Sequence, residues 1–218
     1  MREIKRIIWA SDGSAESEEA FKYAIFLARI FGSEITGLYV IEMHPRHLYD
    51  YARDPDSEAY SWVERTAENQ KERLISEAEI FGIQGITFRS AVSIGDPSEE
   101  IVKLARRKKA DLIALGVRGL GLIDRVLVGS TTLKVLRRSS IPVLSVRKRG
   151  SGNAIEIHNI LVPLDVYEKE DSALNLAADL GQALSANISV LYACRLYSYP
   201  AGVSGGTPGS MNELSEDT

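Results

Sequence analysis

Short apolar runs alternate with segments of helical period over residues 1 to 150, and this alternation restricts the fold more than any other feature. The runs are Lys5 to Ala10 (KRIIWA), Glu34 to Ile41 (EITGLYVI), Gly85 to Val92, Asp111 to Leu115 and Val143 to Val146. Their length, and the turn residues between them, read as strands. After the first run, Ala20, Ala24, Leu27 and Phe31 recur at helical spacing, and Gly32 supplies a stop. A long helix is predicted from about Ser57 to Phe81, ended by Gly82. Its candidate buried positions are Trp62, Val63, Ala67, Leu74, Ala78 and Phe81. Asp96-Pro97-Ser98-Glu99 is a strong helix start, with Asp as cap, Pro in the first turn and Glu at the third position. Ile101, Val102, Leu104 and Ala105 give that helix its apolar face. A fourth helix begins near Ser130. Such a β-α-β alternation builds a parallel sheet covered by helices on both faces. It does not set the strand order.

Between the fourth run and the fourth helix lies a glycine pattern, Gly116-x2-Gly119-x9-Gly129-Ser130. A strand, a glycine-rich loop and a helix N-terminus in that order suit an anion. Glycine lets backbone N–H groups approach a ligand. The first helical N–H groups have no internal partner and carry the positive end of the helix dipole. Arg118 lies between the first two glycines, and Ser130 offers a hydroxyl at the predicted N-cap. Leu120, Leu122, Ile123, Val126 and Leu127 would keep the loop packed. The alternative is structural: Gly116 ends a strand, and Gly119 and Gly121 make a surface turn.

This stretch resembles the nucleotide signature of the universal stress protein family. The likeness includes Asp12 after the first strand, the Gly95-Asp96-Pro97 turn and the closing strand Pro142 to Val146. It covers about residues 1 to 150, and the glycine pattern is that of the ATP-binding branch. The resemblance implies an open five-stranded α/β sheet of order 3-2-1-4-5, of the adenine nucleotide alpha hydrolase-like kind. The first and fourth strands would then lie side by side, and ligands of such sheets bind beyond the strand C-termini at that switch point. Carried over by position, Asp12 would contact adenine or ribose, and the Val40 backbone the adenine edge. Ala10 and Gly116 would meet the ribose. Leu115, Gly119, Gly129, Ser130 and Thr131 would surround the phosphates, with Arg118 as a phosphate partner or a solvated loop cation. Asp12 also reads as a turn or capping residue, and Val40 as plain core. The implied cofactor is ATP, alone or with Mg2+. The implied assembly is a homodimer paired through the edge strand at residues 142–147. The family pattern is broken at three places. Trp9 and Ala10 replace smaller or turn-forming residues, and Val117 stands where a hydroxyl is common. Trp9 either crowds the crevice or fills the sheet face.

Catalysis has little support. No Gly-Lys-Ser/Thr follows a strand, so there is no P-loop. Ser11-Asp12-Gly13-Ser14 lacks the second glycine and the Asp-Ser pair of ATP pyrophosphatases. A receiver domain would cluster acids near Asp12. No nucleophile–base pair is visible, and backbone donors offer no base for an attacking water. The expectation is a regulatory nucleotide-binding module with no catalytic residues. A slow ATPase or phosphotransferase, or a nucleotide-independent dimeric scaffold, is the alternative.

Composition bounds the rest. The one cysteine, Cys194, excludes an intramolecular disulfide, and His44, His47 and His158 make a poor metal set. No apolar run reaches the roughly 20 residues that span a bilayer. The charged N-terminus has no signal-peptide core, so a cytoplasmic protein without membrane contact is expected. Residues 1–150 hold 24 Lys and Arg against 21 Asp and Glu, and residues 151–218 hold 2 against 9. Neither part is basic enough to point to nucleic acid. The run Arg106 to Lys109 ends a predicted helix, where cations complement the dipole.

An internal repeat begins near Ile157. An offset of 153 aligns Ile7 with Ile160, Asp12 with Asp165, Ala20 with Ala173 and Leu27 with Leu180. The same offset aligns Ile35, Leu38 and Tyr39 with Ile188, Leu191 and Tyr192. The expected division is a domain at 1–149, a linker at 150–155, a truncated second repeat at 156–196 and a disordered tail at 197–218. The second copy has no counterpart of the 116–130 loop. It is also too small to bury both faces of its strands, and packing across a dimer is the favoured outcome.

Overall fold

The computed structural model describes residues 4–43, 51, 53–55, 57–117, 129–148, 155–164 and 172–192. Arg118, Gly119, the loop hydrophobics from Leu120 to Leu127, Asp165, most of the linker and the tail at 197–218 lie outside the described residues. The elements run β1 (Arg6–Ala10), α1 (Ala15–Phe31), β2 (Glu34–Ile41), α2 (Glu58–Ile80), β3 (Phe88–Ile94), α3 (Pro97–Lys108), β4 (Leu112–Gly116), α4 (Ser130–Arg138) and β5 (Val143–Val146). A second unit follows: β6 (Asn159–Leu164), α5 (Ser172–Leu184) and β7 (Asn187–Tyr192).

Five strands form one parallel sheet in the order β3-β2-β1-β4-β5. Two apolar clusters cover its faces. On one face, α1 and α2 bring Ala20, Phe21, Ala24, Leu74 and Ala78 onto Ile7, Trp9 and Ile35. On the other, α3 and α4 bring Ile101, Val102, Leu104, Ala105 and Val135 onto Ile8, Leu38 and Ile113. Neighbours in sequence thus serve opposite faces, as the two-residue period of a strand requires. Trp9 resolves its two readings. It is fully buried, stacks on Phe21 with ring centroids 3.9 Å apart, and donates its indole N–H to the Ser17 carbonyl at 2.8 Å. It fills the sheet face.

Helix boundaries follow local chemistry. Ser14 caps α1, its hydroxyl accepting from the Ser17 amide, and Gly32 ends the helix in the left-handed region at φ 67°. Asp96 caps α3 by accepting from the Glu99 amide. Two expectations shift. The third strand starts at Phe88 rather than Gly85, because residues 83–86 close a turn through an Ile86 N–H to Ile83 carbonyl bond at 2.8 Å. It also runs on to Ile94, which pairs with Ile41. On α2, Val63, Leu74 and Ala78 are buried, but Trp62 is 51% exposed. The helix turns its inward face to one side of that indole.

In the second unit, β6 and β7 pair in parallel with Asn159 opposite Asn187. The corresponding pair in β1 and β2 is Arg6 opposite Glu34, so the offset of 153 holds for register as well as sequence. Val162 and Ala177 are buried there, and Leu180 packs against the α1 side of the main sheet.

Candidate functional site

The C-terminal ends of β1, β2 and β4 open into a crevice of about 460 Å3, within the usual range for a small-molecule site. It lies where β1 and β4 are neighbours and the chain leaves them in opposite directions across the sheet. Ala10 and Asp12 come from the end of β1, Val40 from the end of β2, Leu115 and Gly116 from the end of β4, and Gly129, Ser130 and Thr131 from the start of α4. Positions more than a hundred residues apart in sequence therefore share one cavity. The sequence reading did not assign Ser11, Ser14, Leu38, Trp62, Thr66, Pro97, Ile101 or Thr132 to the site, though they also line it. Most of these come from the walls, and a wall residue carries no motif of its own.

The β1–α1 turn is held from inside. The Asp12 carboxylate accepts from the Ser14 amide at 3.0 Å and from the Ser14 hydroxyl, so Asp12 is a turn residue that also lines the crevice. Ser11 donates its amide to the Leu38 carbonyl at 2.9 Å. Behind the turn, Arg73 lies 5.3 Å from the Tyr39 ring centroid, within 3.4 Å of the Ser11 hydroxyl, and pairs with Glu77 at 3.0 Å. Burial pushes the Glu77 carboxyl up, against the lowering by Arg73, and Glu18 adds to the rise.

The β4–α4 end differs from expectation in two ways. Gly129, not Ser130, is the N-cap, and no side chain caps the helix. The first amides of α4 are consequently left without a capping side chain at the crevice. Gly116 has a close structural neighbour. A Cβ there would lie 2.5 Å from the Glu16 carbonyl carbon and 2.7 Å from the Ser17 nitrogen. The space beside it is filled by the first turn of α1. Thr132, itself buried, donates its hydroxyl to the Gly116 carbonyl at 3.1 Å and ties α4 to β4.

From the far side, α3 fixes α4. Lys134 reaches Asp96 at 3.3 Å and Arg138 reaches Glu99 at 3.0 Å. The Ser98 hydroxyl, then the Glu99 amide and Lys134, outweigh partial burial and hold the Asp96 carboxyl at about 2. Among the described residues no group of three or more His, Cys, Asp or Glu is placed to hold a metal, and no helix is long and apolar enough to cross a membrane.

Comparison with known proteins gives a consistent result. The model of the universal stress protein family matches residues 3–147. Universal stress protein MJ0531 of Methanocaldococcus jannaschii is 30% identical over 145 residues, covering 66% of this chain and 82% of the relative. The solved structure of MJ0577 from the same organism superposes with a TM-score of 0.56 at 26% identity, over 68% of this chain and 99% of that one. A protein of unknown function from Pseudomonas aeruginosa PAO1, PA1789, shares the fold at a TM-score of 0.60 and 16% identity. That match covers 86% of this chain and 60% of the other, so the similarity in fold runs past residue 147.

Proposed function

This chain belongs to the universal stress protein family, and from that premise we propose that its crevice binds ATP and that the protein works as a nucleotide-responsive regulatory module. The observation that carries the proposal is the convergence of Ala10, Asp12, Val40, Leu115, Gly116, Gly129, Ser130 and Thr131 on one cavity. The cavity has an apolar part and, at the start of α4, helical amides without a side-chain cap. A nucleotide has the same division: an apolar, planar base and an anionic polyphosphate. The triphosphate would meet the Ser130, Thr131 and Thr132 end, where helical N–H groups without a side-chain cap and the helix dipole favour negative charge. Asp12 would take the ribose, and the β2 backbone at Val40 the edge of the base. Arg118 and Gly119 would complete the phosphate loop. Mg2+ would enter as the counter-ion of the polyphosphate.

Residues 1–149 form the nucleotide-binding domain in this proposal, and residues 156–196 a truncated second repeat. Two copies of the chain would associate through β5, the edge strand next to β4.

Gly129→Val tests the nucleotide site. Gly129 has φ −57° and ψ 149°, a conformation open to any residue, so valine need not strain the backbone. Its side chain would occupy the phosphate end, and calorimetry should show ATP binding weakened at least tenfold, roughly 1.4 kcal/mol. Undiminished ATP affinity in the folded variant would refute the site. Mass spectrometry of gently purified protein separates the roles. Retained ATP supports a regulatory module, whereas ADP with turnover supports a slow hydrolase.

A further inference from the structure

We infer that Trp62 is the base-stacking residue of the crevice, an inference that rests on the nucleotide reading above. Two tryptophans occur in the chain, and they differ in their surroundings. Trp9 is sealed in the core with its ring on Phe21 and its N–H bonded. Trp62 is 51% exposed and lies on the crevice wall. An indole is a large apolar surface to leave in water, where its burial would stabilise the protein. The rest of α2 follows the usual pattern, with Val63, Leu74 and Ala78 buried.

The crevice walls explain what would cover that ring. Trp62 and Thr66, one helical turn apart, come from α2 on one face of the sheet. Pro97 and Ile101 come from α3 on the opposite face. Between them lies the end of β2, with Leu38, Val40 and Ile41 in the floor. This part of the crevice is mostly apolar, with Tyr39, Glu42 and Thr66 also in its lining, and a flat ring with polar edges fits its chemistry. The phosphate end, at Gly129 to Thr132, adjoins β4. Strands β2 and β4 flank β1, so the two ends are two strand spacings apart, roughly 10 Å. A base in that part of the crevice therefore leaves its phosphates pointing toward α4. Trp62 selects for an aromatic base and holds it by stacking, while the amides at α4 hold charge.

The experiment measures ATP affinity by calorimetry and tryptophan emission in wild type, Trp62→Phe and Trp62→Ala. Gly129→Val marks the phosphate site independently. Trp62→Ala should weaken ATP binding about tenfold, in the range found for removing one stacked base partner. Trp62→Phe, which keeps an aromatic face, should stay within about threefold of wild type. ATP should quench the emission of wild type, and in Trp62→Phe, where only Trp9 remains, the quench should vanish. Wild-type affinity in Trp62→Ala, or a full quench in Trp62→Phe, overturns the inference while leaving the nucleotide site standing. Should Trp62→Ala misfold, the emission of Trp62→Phe decides alone. A wild-type protein that binds no ATP overturns the nucleotide reading, and this inference with it.

Discussion

Gly116 is a residue whose apparent purpose changes with its neighbours. The glycine pattern reads as room for a phosphate, yet the missing Cβ at position 116 is opposed by the backbone of Glu16 and Ser17, not by open crevice. Backbone atoms in the first turn of a capped helix cannot rotate aside as a flexible side chain can. Gly116→Ala should therefore push α1 off β4 and lower stability by about 1–3 kcal/mol, the usual range for overpacking. Urea unfolding followed by circular dichroism checks this. An unshifted midpoint would show that α1 has slack there. Trp9 makes a similar point: its bulk, unusual before a crevice, is taken up by Phe21 and by the Ser17 carbonyl. Ser17 thus lies close to both residues.

At the scale of elements, the pairing of α3 with α4 decides where the α4 end of the crevice lies. The N-terminus of α3 supplies Asp96 and Glu99, and α4 answers with Lys134 and Arg138. Asp96 both caps its own helix and anchors the neighbour. Its carboxyl is lowered from the ordinary 3.8 to about 2, chiefly by the Ser98 hydroxyl. A carboxyl lowered by folding contributes stability at pH values above 3.8, and that contribution is lost as pH falls toward 2. Asp96→Asn keeps a good capping residue but removes the charge. Wild type should lose stability between about pH 4 and pH 2 more steeply than the variant, measured by urea unfolding across that range. Parallel acid profiles would show that Asp96 contributes nothing to the difference.

For the molecule as a whole, β5 is one of the two edge strands of the main sheet, with β3 at the other side, and an open edge invites another strand. The carbonyls of Pro142 and Val146 accept from Ile113 at 3.0 Å and Val117 at 2.7 Å. By the two-residue alternation of a strand, Val143 and Ser145 turn their backbone groups away from β4. Ser145→Pro, at an exposed position, should block pairing at that edge without breaking β4–β5, and convert dimers to monomers in sedimentation. Wild type that is already monomeric at high micromolar concentration would rule the dimer out. The second unit has a related deficit. Leu161 and Leu191 are 63% and 49% exposed, whereas their counterparts at the offset of 153, Ile8 and Leu38, are buried beneath α3. The second unit has the same parallel strand pairing but includes no described helix on that face.

What the sequence determined by itself was local and periodic. Strand and helix periods, the Ser14 and Asp96 starts and the Gly32 stop depend on residues within a turn or two of one another, so the chain states them directly. The 153-residue offset is equally legible, because repetition needs no three-dimensional knowledge. The positions proposed for the nucleotide were legible only because a family resemblance tied Asp12 to the glycine pattern a hundred residues later. Tertiary structure alone decided the rest. It placed Trp62 on a crevice wall instead of in the core, set the backbone of α1 against Gly116, and moved the helix cap from Ser130 to Gly129. Each of these depends on which surfaces meet once the strands take the order 3-2-1-4-5. Side-chain periodicity fixes which face of an element is apolar, but not which neighbour will cover it.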